Sequence, residues 1–74
     1  MRINTNEYQF SHGKKPRGRG YWMLEISASD GRGSFTTETA SGEGLLSAVI
    51  AGTCADLKNR VARIKTICEV TVLP

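Results

Sequence analysis

Side chains from Tyr21 to Ala28 sort into two alternating sets. Trp22, Leu24, Ile26 and Ala28 fall on one side, Tyr21, Met23, Glu25 and Ser27 on the other. A period of two predicts a half-buried β-strand. Asp30-Gly31 follows and has the chemistry of a two-residue type I′ turn. Gly33 to Thr39 is the returning strand, rich in threonine and less buried. With Asp30-Gly31 at the tip, Ile26 faces Phe35, Leu24 faces Thr37 and Trp22 faces Thr39; a longer turn from Ser29 to Gly33 changes that pairing. Upstream, Ile3, Tyr8 and Phe10 predict a first strand over residues 3–10, with Tyr8 and Phe10 on one face.

From Ala40 the period changes to about 3.6. Leu46, Val49, Ile50, Thr53, Leu57, Val61 and Ile64 form one stripe of a helical wheel. Ser41 is the expected N-cap, and Glu43 places a carboxylate in the first turn. Gly52 interrupts the run without breaking the phase of the stripe, so one helix is expected, with a kink at most. Thr66 to Leu73 then reads as a strand apolar on both faces, with Cys68, Val70 and Val72 opposite Ile67, Thr71 and Leu73. That pattern suits a central strand or one buried at an interface. The fold class is α+β: a mixed four-stranded sheet in the order β-β-β-α-β with one long helix on one face. The last strand runs parallel to the first or third. One domain spans residues 1–74.

Charge changes the picture because it is local. The 74 residues carry ten Lys and Arg against seven Asp and Glu, for a net charge of +3. Four of those cations, Lys14, Lys15, Arg17 and Arg19, lie within residues 12–20, a stretch with no carboxylate that leads directly into Tyr21-Trp22. Gly13, Pro16, Gly18 and Gly20 argue against regular structure there, so a flexible basic loop is expected over residues 11–20. Lysine and arginine engage phosphates by charge and counterion release, and arginine adds bidentate geometry. Trp22 is expected to face the core, which leaves Tyr21 as the residue to stack on an unpaired base. Arg32, beside the hairpin turn, adds a contact if that tip lies near the loop. A second cluster, Lys58, Arg60, Arg63 and Lys65, complements the helix dipole at its C-terminal end.

The chemistry of catalysis is poorly represented. His12 is the one histidine, without a neighbouring nucleophile, and Gly18–Gly20 and Gly42–Gly44 lack the context of nucleotide-binding turns. No cofactor or metal is expected, since one histidine and the distant Cys54 and Cys68 do not make a zinc site. Both cysteines lie in apolar runs and are expected as reduced core thiols. No signal-peptide core and no apolar run of about 20 residues appears, so a cytoplasmic protein without a membrane partner is expected.

The expected function is a small non-enzymatic nucleic-acid-binding accessory protein, its loop contacting the phosphates of DNA or RNA. Layout alone offers one analogy, the small DNA-binding domains that lay a three-stranded sheet backed by a helix into the major groove. The alternative is a protein-binding inhibitor or adaptor, of the kind phages and plasmids direct at host nucleases or defence complexes. Its loop would read an acidic protein surface. A single helix leaves one sheet face uncovered, and Tyr21, Met23, Ile67 and Thr71 are the expected interface there, for a partner or for a homodimer.

Overall fold

The computed structural model describes residues 1–74. The chain forms β1 (Arg2–Asn4), α1 (Asn6–His12), β2 (Arg19–Ser29), β3 (Phe35–Leu45), α2 (Leu46–Arg60) and β4 (Thr66–Val72). The fold is α+β with a mixed four-stranded sheet in the spatial order β1-β4-β2-β3. β2 is antiparallel to both β3 and β4, and β1 is parallel to β4. The last strand lies inside the sheet and runs parallel to the first, although only one of its faces is apolar, since Glu69 and Thr71 point to the other.

Two helices are present where one was expected. The first strand stops at Asn4, and residues 6–12 coil into α1. The Asn4 side chain accepts a hydrogen bond from the Asn6 amide, and the Gln9 amide group donates to Thr5 Oγ1 at 2.7 Å. Gly13, in the left-handed region at φ 71°, closes the helix by donating to the Gln9 carbonyl. Coiling separates the two aromatics: Tyr8 packs against the core while Phe10 is 95% exposed.

The hairpin turn is longer than two residues, which overturns the Ile26–Phe35 register. Asp30 Oδ1 accepts from the amides of Arg32 and Ser34, and Ser29 Oγ accepts from Gly31. These local bonds, with Gly31 and Gly33 at positive φ, build a five-residue loop. Ser29 then pairs with Phe35, Ile26 with Glu38, Leu24 with Ala40 and Trp22 with Gly42.

β3 also runs on to Leu45, so Ser41 and Glu43 are strand residues and cap nothing. Gly42 and Gly44 are poor helix formers, and β2 pairs with them through Trp22 and Gly20, as Met23 and Tyr21 pair with Ser41 and Glu43. The helix starts at Leu46 and ends at Arg60, and Gly52 lies within it unbroken. Val61 and Ile64 belong to the stripe but follow the helix, where Ile64 remains buried.

α2 packs on the face of Trp22, Leu24, Ile26 and Ala28, which join Ile50, Leu57, Ile64, Ile67, Val70 and Val72 in one core. Close approach depends on Gly42. A β-carbon there would lie 3.1 Å from Val49 Cγ1. Between Glu69 and Ile67 the pairing with β2 skips Cys68, a β-bulge. The extra residue turns Ile67 onto the face of Val70 and Val72, where it is buried. Cys54 and Cys68 are free thiols, both half-buried. No helix is long and apolar enough to cross a membrane.

Candidate functional site

β2 outruns its neighbour. It pairs with β4 only from Leu24 to Ser29, and Arg19 to Met23 pair with β3 alone. The flank of those five residues therefore has no adjacent strand, although the Leu73 amide still reaches the Met23 carbonyl. α1 and the Gly13–Gly18 loop fill the opposite side, and a cleft of about 460 Å³ opens between them. Its volume lies within the usual range for ligand sites.

All four loop cations, Lys14, Lys15, Arg17 and Arg19, line this cleft. Tyr8, His12, Tyr21 and Trp22 line it with them, and the lining contains no Asp or Glu. Folding thus keeps together what the sequence placed together, and adds an aromatic wall from α1. The loop is shorter than the expected 11–20, since His12 ends α1 and Arg19 begins β2. Its far end is held by the Gly18 carbonyl, which accepts from the Leu46 amide at 3.0 Å.

The aromatics differ in availability. Trp22 is 5% exposed, and its indole N–H donates to the Gly44 carbonyl at 3.0 Å. It is a core residue that closes the cleft from behind, as expected. Tyr21 is 66% exposed and donates its hydroxyl to Ser41 Oγ. Tyr8 and His12, one helical turn apart, stack with ring centroids 4.1 Å apart and planes 18° from parallel. Tyr8 also leans on Trp22 at 5.8 Å. Tyr8 and His12 are not legible as a pair in an extended reading of residues 3–10, because they share a face only in a helix. Gly13, a helix stop signal, is the feature that could have revealed them.

Other expected residues lie elsewhere. Arg32 is in the hairpin loop, beyond the end of β2 opposite to Arg19. Ten strand steps separate those ends, roughly 33 Å. Arg32 makes no part of the cleft. The Lys58–Lys65 cluster is also remote from the loop. The Lys65 amide bonds the Ser29 carbonyl, its side chain lies against Gly31, and Arg63 flanks Asp30 and Ser34. The loop cations and the Arg32, Arg63 and Lys65 group therefore form two separate poles, one at each end of the hairpin, while Arg60 pairs with Asp56 beside the middle of β3.

The uncovered sheet face is mixed, with Tyr21, Met23, Phe35 and Leu45 exposed among polar and acidic side chains. Register places Tyr21, Met23 and Thr71 on it, but Ile67 is in the core and cannot contribute to an interface there. Thr71, though on this face, is 8% exposed. Glu69 accepts from Asn4 and Thr71 and lies 3.7 Å from the Arg2 guanidinium. Glu25, Glu43, Thr37 and Thr39 lie on the same face, between Phe35 at one end of β3 and Leu45 at the other. Comparison with protein-family models, with curated proteins and with solved structures finds no match to this chain.

Proposed function

We propose that the protein binds nucleic acid in the cleft beside the overhanging end of β2, with no catalytic step. One observation carries the reading: four cations, Tyr21 and the Tyr8–His12 stack line a single concavity without a carboxylate side chain. Lys14, Lys15, Arg17 and Arg19 engage successive phosphates, and affinity follows from charge neutralisation and counterion release. Tyr21, and the outer face of the Tyr8–His12 stack, offer π-surfaces to unpaired bases. A duplex keeps its bases stacked on one another, so this arrangement favours single strands. The sheet is not the recognition surface. Glu25, Glu43 and Glu69 on its uncovered face would repel phosphates, which argues against the groove-filling sheet of the layout analogy.

The decisive experiment is a fluorescence anisotropy titration of single- and double-stranded oligonucleotides over a salt series. Single strands bind more tightly, and the slope of log K against log salt approaches about −3 for four phosphate contacts. Replacing Lys14, Lys15, Arg17 and Arg19 together by alanine abolishes binding and leaves the unfolding free energy, read by urea titration, within about 0.5 kcal/mol of the parent. Tyr21→Ala weakens single-strand binding by about 1–3 kcal/mol while sparing the salt slope. Undiminished binding by the quadruple variant would remove the cleft from consideration.

A further inference from the structure

β3 is an edge strand of unusual length, and Glu38 and Glu43 are its only charged side chains. It runs for 11 residues at the end of the sheet, and nothing lies beyond it in the strand order. Edge strands that stay unpaired are commonly short, bulged, or guarded by lysine or proline. β3 contains neither residue, and its pairing with β2 runs unbroken from Phe35 to Leu45. At its two ends, Phe35 and Leu45 are 71% and 42% exposed. Both occupy odd-numbered positions, hence the same uncovered face of the sheet.

We infer that the occupant of this edge is β3 of a second copy, paired antiparallel about a two-fold axis at Ala40. Antiparallel partners keep their faces only if the two residue numbers sum to an even value. Among those registers, a sum of 80 alone pairs all 11 residues. It sets Phe35 of one copy opposite Leu45 of the other, twice per dimer, covering both exposed apolar side chains. Thr39 faces Ser41 and Thr37 faces Glu43, pairs that hydrogen-bond across strands. Glu38 faces Gly42. The register centred on Glu38 would set glutamate against itself, and a sum of 78 would set Phe35 against Glu43. Each is disfavoured by its own side chains. The product is a continuous eight-stranded sheet joined by about ten new backbone hydrogen bonds.

The dimer also reorganises the charge. Antiparallel pairing brings the hairpin-loop end of one copy beside the cleft end of the other. Arg19 and the partner's Ser29 then lie four strands across, about 14 Å apart. The partner's Arg32 sits just beyond, so the remote basic pole extends each cleft in trans. This extension rests on the nucleic-acid reading, but the dimer does not.

Sedimentation velocity without nucleic acid tests the dimer independently of any ligand. The full chain sediments as a concentration-dependent dimer across a micromolar series. Phe35→Lys and Leu45→Glu each weaken association roughly tenfold, since each strands a charge against an apolar side chain. Combining them restores the dimer, because lysine then faces glutamate across the axis. Both side chains are exposed, and thermal melting confirms that the variants fold. A parent that stays monomeric throughout, single variants that associate normally, or a double variant as weak as the singles would each overturn the inference.

Discussion

Tyr8 and His12 show how much a single residue's role depends on its backbone. In an extended strand Tyr8 would share a face with Phe10; in α1 it stacks on His12 at 4.1 Å and leaves Phe10 in solvent. Cys54 shows the same dependence in its chemistry. Burial raises its thiol above the ordinary value of 9.0, and Lys58, one turn along α2, opposes the shift. A thiol raised in the folded state stabilises the fold fully below its unfolded pKa, and the contribution fades as pH climbs through the folded value. At pH 9, iodoacetamide should therefore alkylate Cys54 more slowly in the native protein than in urea, and Lys58→Ala should slow it further. Equal native and unfolded rates, read by peptide mass spectrometry, would refute the shift.

Among the elements, the β3–α2 contact is the most exacting. Val49 Cγ1 occupies the space that a β-carbon at position 42 would need. Gly42→Ala should cost about 1–2 kcal/mol by overpacking. Introduced into a Val49→Ala background, the same substitution should cost less, with a coupling of about 1 kcal/mol. Urea unfolding of the four proteins of that cycle measures it; additive costs would show that Gly42 serves its backbone and not this contact. The element boundaries were legible only in part. β2 and β4 follow from their side-chain patterns. The ends of β3 and α2 do not, because the residues from Ala40 to Leu45 are neutral between strand and helix until β2 offers them partners.

For the molecule as a whole, the proposed nucleic-acid binding depends on the separation of the two basic poles. The cleft holds Lys14, Lys15, Arg17 and Arg19, whereas Arg32, Arg63 and Lys65 gather beside the hairpin loop at the other end of β2. A tetranucleotide bound in the cleft does not reach the second pole of the same chain. Replacing Arg32 and Arg63 by alanine should leave its affinity within about twofold. Longer single strands should lose affinity in the same variant if two copies join along β3. Anisotropy with oligonucleotides of graded length separates the cases, and a loss already present for the tetranucleotide would contradict the separation of the poles.

Local pattern by itself determined the α+β class, the position of the core strand Trp22–Ala28, the presence of a last strand after the helix and the clustering of cations before Tyr21. Those features depend on neighbours a few residues apart, whose spacing is visible in the chain. Tertiary structure alone decided that β2 overhangs β4 and opens the cleft, that a bulge at Cys68 turns Ile67 into the core, and that Arg32 lies far from the loop. Each depends on register between strands distant in sequence. Register is settled by which pairing buries the most apolar surface and satisfies the most backbone hydrogen bonds at once, a comparison that no single segment of the chain contains.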